Sequence, residues 1–195
     1  MGLWDVIRGQ RRPKGPNLDN LFAVPAASIT LQTALGVHPT GVGAVCFRAA
    51  EGAAATSTQD AAEALIESTG QAGRTTGPQV ERSIDGYGFT WFVVRGSAED
   101  VEGLVTDLHA VNSELELQGF ASGLLCSLVG FEAPSGRHVG LVYLYRRGTF
   151  YPFAPTGPQA RDTLLERQVR DALSADLEIE PDLARWMPLW GAPGL

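Results

Sequence analysis

Three histidines and two cysteines are the residues of this sequence that could carry nucleophilic chemistry. They are His38, His109, His138, Cys46 and Cys126. A thiol beside an imidazole is the arrangement of a cysteine nucleophile with its general base. Both cysteines lie in apolar strand-like runs, and an apolar environment makes a thiol unreactive. The sequence therefore predicts buried structural cysteines. A Cys126–His109 couple stays open, because the helix that carries His109 must pack near that strand.

The spacings typical of metal and phosphate sites are missing. The sequence contains no HExxH, no Cys-x-x-Cys and no pair of histidines four residues apart. The acidic clusters at residues 99–102 and 178–182 are typical of solvated helix ends. The Gly-rich run at 36–43 follows a helix and precedes a strand, which is the reverse of a phosphate-binding loop. We therefore expect no cofactor, no metal and no catalytic residue. A hydrolase with dispersed acid and base residues stays open as an alternative.

Composition narrows the class of protein further. The chain has 195 residues, of which 44% are hydrophobic, and a net charge of −7. This length suffices for one buried core, and the acidic balance disfavours nucleic-acid binding. No run reaches the ~18 apolar residues of a membrane span. Two isolated cysteines do not make a secreted disulfide framework. We expect a soluble protein of a reducing cytoplasm.

Helical periodicity and capping residues predict four helices. Their predicted ranges are 25–35, 57–70, 97–118 and 158–177. Ser97 is the predicted N-cap of the longest helix, and Pro158 is the predicted first residue of the last one. In the last helix, Leu164 is one of the residues expected to face inward.

Apolar runs between these helices predict five strands. Their predicted ranges are 42–49, 80–84, 87–95, 122–132 and 138–147. Asp85-Gly86 between two such runs predicts a type I′ hairpin turn, in which both turn residues have positive φ. The fold class is α+β, with a five-stranded, mostly antiparallel sheet and helices packed on it. The element order is α-β-(α)-β-β-α-β-β-α.

The ends of the chain are expected to differ from its body. Residues 1–16 are predicted to be an arm, 17–180 a single domain and 181–195 a tail that packs on it. Trp4 in the arm, with the basic residues Arg11, Arg12 and Lys14, could make at most weak peripheral contact with the inner face of a membrane. A membrane-surface sensor is therefore a second alternative function.

Aromatic residues in two predicted loops are the candidates for partner binding. The candidates, together with two neighbouring arginines for polar rim contacts, are Phe150, Tyr151, Phe153, Trp186, Trp190, Arg146 and Arg147. Exposed aromatics carry much of the energy of protein interfaces. The alternative is that these segments fold back and seal the edge of the core.

The same segments carry a family resemblance. The runs TDLHAVN and GTFYPFAPTGPQ, the start MGLWDVIRG and the end WMPLWGAPGL resemble the PspA-associated protein PspAB family of actinobacteria, over nearly the whole chain. The resemblance implies association with PspA, the coiled-coil membrane-stress protein of the phage-shock response. It implies no catalytic residues.

Two resemblances together set the expected function. The element order, without the helix at 57–70, is similar to the type III secretion chaperone-like fold, also seen in YbjN-like proteins. We therefore expect a non-enzymatic adaptor or chaperone-like protein that binds PspA or another envelope-stress component. The fold likeness also leaves a homodimer open.

Overall fold

The computed structural model describes residues 17–48 and 79–195 of the chain. The α-helices there are α1 (Val24–Leu35), α2 (Val101–Leu117) and α3 (Thr163–Leu173). Two short 3-10 helices span Leu18–Ala23 and Leu183–Arg185. The strands are β1 (His38–Phe47), β2 (Gln79–Ile84), β3 (Thr90–Arg95), β4 (Leu124–Glu132), β5 (His138–Leu144), β6 (Thr149–Phe153), β7 (Pro155–Gly157) and β8 (Ala160–Arg161).

Six of these strands form one antiparallel sheet. Its order is β2-β3-β1-β4-β5-β6, and β7 pairs with β8 in a separate small hairpin. The predicted α+β class is confirmed, and so is the pairing of β4 with β5 through a tight turn at residues 133–137. The predicted number of five strands is wrong, because the sheet has a sixth strand, β6, where the sequence predicted a loop.

β6 is a strand despite its proline. Thr, Phe and Tyr favour the extended backbone, and Pro152 is tolerated because β6 is the last strand of the sheet. Its outer edge is partly paired with the segment that follows α3. The Phe150 amide donates to the Glu178 carbonyl at 2.8 Å, and the Glu180 amide donates to the Phe150 carbonyl at 2.7 Å. A segment far along the chain thus completes this edge.

The three helices cover one face of the sheet, which we call the helix face. Alternate residues of each strand point to it, as the two-residue period of a strand requires. Fully buried side chains of the helix face come from strands and helices alike, among them Leu31, Val45, Leu108, Phe131, Val139 and Val169.

The opposite face is covered by the end of the chain. Residues 186–195, which we call the strap, run over it without forming a helix or a strand. The intervening strand residues pack against the strap and form a second core, which includes Ala44, Trp91, Val93, Leu128, Tyr151 and Phe153. We call this side of the sheet the strap face.

Two helices begin later than predicted. Asp100, not Ser97, is the N-cap of α2, and its carboxylate accepts from the Gly103 amide at 2.8 Å. Pro158 lies in the turn between β7 and β8, and α3 begins after Asp162, whose carboxylate accepts from the Leu165 amide at 3.0 Å. In both places a carboxylate outcompetes the predicted start because it stabilises the positive end of the helix. Leu164 is 67% exposed, so its predicted inward orientation is wrong.

The turn between β2 and β3 also differs from its prediction. Residues 85–89 lie outside the two strands, and positive φ falls at Gly88 (83°) rather than at Asp85 and Gly86. The type I′ prediction is therefore wrong, although the hairpin itself is present. The predicted helix at 57–70 and the arm at 1–16, with Trp4, Arg11, Arg12 and Lys14, lie outside the described residues.

Candidate functional site

An apolar cavity of about 460 Å³ opens on the strap face. Its floor is formed by sheet residues whose side chains point away from the helices, namely Cys46, Trp91, Leu125, Cys126, Leu144 and Tyr151. Its rim is formed by the β2–β3 turn and by the first residues of the strap, namely Asp85, Tyr87, Phe89, Met187, Pro188, Leu189 and Trp190. We call this site the strap cavity.

The two cysteines face each other at the cavity floor. Cys46 of β1 and Cys126 of β4 are direct partners in the strand register, so their side chains leave the same face of the sheet. Both are free thiols and both are buried. A hydrogen bond with the Cys126 thiol, together with burial, raises the pKa of Cys46 far above its ordinary value. At rest, Cys46 is therefore a protonated thiol.

Asp85 organises the turn side of the rim. One oxygen of its carboxylate accepts from the amides of Tyr87 (2.9 Å) and Phe89 (3.0 Å). The other oxygen accepts from the indole Nε1–H of Trp91 at 2.9 Å. These bonds fix the turn against the cavity floor and leave the Tyr87 side chain 62% exposed at the opening.

The strap side of the rim is held by tyrosine and tryptophan contacts. The Tyr151 hydroxyl donates to the Met187 carbonyl at 2.8 Å, and the Trp186 ring stacks on the Tyr151 ring with centroids 6.0 Å apart. Trp190 packs edge-on against Phe153 at 5.0 Å. The Met187 side chain stays 58% exposed. Two large exposed side chains, Tyr87 of the β2–β3 turn and Met187 of the strap, therefore lie at the mouth of an apolar cavity.

The buried carboxylate of Glu180 anchors the start of the strap. It accepts from the Thr149 hydroxyl at 2.7 Å, the Arg147 guanidinium at 3.2 Å and the Asp182 amide at 3.2 Å. Burial alone would raise the pKa of Glu180, but these hydrogen bonds outweigh burial and hold that pKa below its usual value. The Glu180 carbonyl also accepts from the Trp186 indole Nε1–H at 2.9 Å.

A partly buried ion pair forms a second anchor. The Arg161 guanidinium contacts both oxygens of the Glu166 carboxylate, at 2.8 and 2.9 Å, and also donates to the Trp186 carbonyl at 2.9 Å. The same carboxylate accepts from the Ala154 amide at 2.9 Å. The position of the strap is therefore set by polar contacts with β6 and β8 as well as by apolar packing.

Comparison with known proteins gives one match. The family model described as PspAB, PspA associated protein B, matches residues 1–194. The chain belongs to the PspAB family. No curated protein and no solved structure matches the chain. The likeness to secretion chaperones and YbjN-like proteins therefore stays a prediction for this PspAB protein, whose α+β class alone is established.

The aromatic residues that the sequence singled out are mostly buried. Phe150, Tyr151 and Phe153 are at most 1% exposed and Trp186 is 7% exposed. These four residues do not form an exposed binding face, because β6 is a strand of the sheet and the strap covers its strap face. Of the two alternatives raised by the sequence, the structure shows the sealed core for these four residues. Trp190 is half-buried and lines the strap cavity.

The two candidate arginines do not lie at the cavity. Arg146 donates to the Ser122 carbonyl at 2.7 Å, and Arg147 is paired with Glu180. Neither residue lines the strap cavity. Both are exposed side chains in the turn between β5 and β6, where their contacts are structural.

The open Cys126–His109 couple is not brought together. α2 packs on the helix face, where the His109 ring lies tilted against the Phe22 ring with centroids 4.9 Å apart, and His109 Nε2 is 3.4 Å from Asp19 Oδ1. Cys126 belongs to the core of the strap face. The sheet separates the two groups, which sequence order alone could not reveal.

Residues that sequence reasoning passed over make up most of the rim. Asp85, Tyr87, Phe89, Met187 and Leu189 all line the cavity. The sequence carries one signal for them: in both rim segments, apolar residues stand beside turn-forming residues.

Within residues 17–48 and 79–195, no group of three or more His, Cys, Asp or Glu side chains is placed to hold a metal ion. In the same ranges, no helix combines the length and hydrophobicity needed to cross a membrane.

Proposed function

We propose that this PspAB protein is a non-enzymatic adaptor or chaperone-like protein of the phage-shock response that binds PspA or a related envelope-stress component. The strap cavity is the proposed docking site. The observation that carries the proposal is an apolar cavity whose mouth is flanked by two exposed apolar side chains, Tyr87 and Met187. Family membership supports the choice of partner.

The size and lining of the cavity favour an apolar anchor from the partner. A volume of about 460 Å³ lies within the range of pockets that bind ligands and interface side chains. Interfaces gain most of their energy where a few anchors fill such a pocket and exclude water. Tyr, Trp and Met, which are enriched in interface cores, form much of this rim. The occupant is therefore one or two large apolar side chains on a helix of the partner.

Charge favours a basic surface around that anchor. The chain carries a net charge of −7, and complementary charge speeds encounter and suppresses wrong partners. The segment between α3 and the strap also carries acidic residues, including Glu178 and Asp182, both of which are exposed. A basic helical segment of the partner is therefore the expected ligand, and the proposed encounter takes place in the cytoplasm.

The polar groups of the cavity support a binding role over catalysis. Asp85 is the one carboxylate among the described lining residues, and both of its oxygens already accept hydrogen bonds from the turn and from Trp91. The described lining residues include no imidazole and no amine that could serve as a general base beside the thiols. The lining is suited to burying apolar groups.

Isothermal titration of the full chain with purified PspA from the same genome tests the proposal. Tyr87→Asp and Met187→Asp each place a charge at the cavity mouth without touching the core, because both side chains are mostly exposed (62% and 58%). Each variant is expected to weaken binding by about tenfold or more, the usual effect of losing an interface anchor.

Leu117→Asp is the matched control. Leu117 is 80% exposed at the end of α2 on the helix face, so the same charge is added far from the cavity. Its affinity should equal that of the unmodified chain. Absence of binding by the unmodified chain, or weakening by Leu117→Asp alone, would show that the strap cavity does not bind PspA.

A further inference from the structure

The opposed cysteines of the cavity floor meet the geometric conditions for a disulfide bond. Cys46 and Cys126 are direct partners in the antiparallel register of β1 and β4. Directly opposed residues of antiparallel strands have Cα atoms about 4.5–5.5 Å apart. Disulfides join residues whose Cα atoms are about 4.4–6.8 Å apart. The register therefore places the two cysteines within the Cα separation that a disulfide bond requires.

The cavity gives small molecules access to this pair. Both thiols line the strap cavity, and they leave the same face of the sheet from directly opposed positions. Cys126 is 5% exposed and Cys46 is 2% exposed. The surroundings are apolar, with Trp91, Leu125 and Leu144 beside the thiols. An uncharged, flat reagent can thus reach Cys126 first, whereas a large or charged one is disfavoured by the lining.

We propose that Cys46 and Cys126 form a reversible dithiol–disulfide pair, which a small organic disulfide entering through the strap cavity oxidises. This modification site goes beyond the proposed docking function and does not depend on it. Disulfides of reducing compartments are usually transient and redox-sensing rather than structural. The pair fits that class because it links two neighbouring central strands that are already held together by backbone hydrogen bonds.

The reaction consists of two thiol–disulfide exchanges. The Cys126 thiol loses its proton and its sulfur attacks one sulfur of the small disulfide, which breaks that S–S bond and releases one small thiol carrying the proton. The Cys46 thiol then loses its proton, and its sulfur attacks the Cys126 sulfur of the mixed disulfide. The second small thiol leaves with that proton. Two protein thiols are oxidised, and one small disulfide is reduced to two thiols.

The second exchange is expected to be the slower one. A thiol attacks as its thiolate, and the hydrogen bond with Cys126 and burial keep Cys46 protonated. The mixed disulfide on Cys126 removes the first of these causes but leaves burial, so Cys46 loses its proton slowly in the second exchange. The pair therefore rests as two thiols and closes only after Cys126 has been modified.

Treatment of the folded full chain with 2,2′-dithiodipyridine tests the inference. The reagent is small, flat and uncharged, and its released thione absorbs light. The expected result is two thiones released per chain and a product lighter than the reduced chain by two hydrogen atoms. Peptide mapping should join the peptides of Cys46 and Cys126, and dithiothreitol should restore the original mass.

Single substitutions separate the two steps. Cys46→Ser should release one thione and retain a stable mixed disulfide on Cys126, because the second thiol is missing. Cys126→Ser should react more slowly than Cys46→Ser, because Cys46 is the less exposed thiol. The mass readout on the unmodified chain stands even if either variant fails to fold. Two stable adducts, a disulfide between two chains, or reaction only in denaturant would overturn the inference.

Discussion

Three helices cover one face of the sheet, whereas the other face is covered by the irregular strap. A helix satisfies its own backbone hydrogen bonds, so burying it needs only an apolar stripe. An irregular segment needs separate partners for its backbone groups. The strap finds them one at a time, as in the bonds from Tyr151 to the Met187 carbonyl and from Arg161 to the Trp186 carbonyl.

This difference explains where the cavity lies. The helix face is packed by side chains that recur at helical spacing along α2, so the core beneath it is continuous. The strap is tied down at Trp186 and again at Trp190, and between them it crosses the cavity opposite the β2–β3 turn. An irregular cover seals a sheet only where it is anchored, and a binding site can form beside the anchors.

The largest effects are expected from removing a buried side chain on either face. Leu108 is 0% exposed beneath the helices, and Trp186 is 7% exposed where the strap begins. Leu108→Ala should lower the free energy of unfolding by about 2–5 kcal/mol and Trp186→Ala by about 3–5 kcal/mol, since each leaves a cavity in a packed core. Guanidinium chloride unfolding followed by circular dichroism measures both.

Met187→Ala is the control for the strap, because the Met187 side chain is mostly exposed (58%). It should change the free energy of unfolding by less than about 0.5 kcal/mol. If Trp186→Ala lowers the free energy of unfolding by no more than Met187→Ala does, the packing of the strap contributes little to stability. The strap face is then not a core equivalent to that of the helix face.

A smaller and pH-dependent loss is expected at Glu180. Glu180→Gln removes the charged acceptor of the Thr149, Arg147 and Asp182 hydrogen bonds, which should cost about 1–3 kcal/mol at pH 7. Because the folded-state pKa of Glu180 lies below its usual value of 4.5, its contribution is complete above that value. It is lost as the pH falls through the lower folded-state pKa.

Urea unfolding of both proteins between pH 7 and acid pH measures the difference. The gap between the unmodified chain and Glu180→Gln should be constant near neutral pH and should narrow below about pH 4.5. A gap that stays the same down to acid pH would show that the Glu180 charge does not anchor the strap. Glu99→Gln is the control, since Glu99 is exposed and lies before α2, away from the strap.

The smallest effect is expected beside the cavity. Leu189 is half-buried and lines the strap cavity, so Leu189→Ala enlarges an existing space and should cost less than about 1 kcal/mol. Leu128 lies on the same face but is 1% exposed, and Leu128→Ala should cost about 2–5 kcal/mol. Equal losses in a thermal melt of the two variants would mean that the strap closes over the cavity in solution.

Elements with strong local signals could be predicted from the sequence. α1 begins one residue before the predicted start and ends at the predicted Leu35, followed by Gly36 at a φ of 65°. The β4–β5 hairpin follows from two apolar runs around a Pro-Ser-Gly turn. The starts of α2 and α3 were missed because several residues nearby can cap a helix, and the tertiary position of the chain selects among them.

The candidate site could be predicted only in part. The sequence points to Trp190, which lines the cavity, whereas it predicts a loop for Phe150, Tyr151 and Phe153. Pro152 and the flanking glycines indicate a loop locally, whereas β6 forms by pairing with β5. Its outer edge is partly covered by the segment at 178–180, which lies more than 20 residues further along. Asp85 and Met187 line the same cavity although they lie far apart in the sequence, and no local pattern predicts that they come together.

The sequence by itself determined the α+β class, the antiparallel hairpins, the burial of both cysteines and the membership of the PspAB family. These follow from periodicity, turn residues and similarity, all of which are properties of the chain read in order. Only the tertiary structure decided that the two cysteines share one face of the sheet, where the strap is anchored and where a cavity is left beside it. Those features depend on contacts between segments far apart in the chain, and they form only when the sheet brings those segments together.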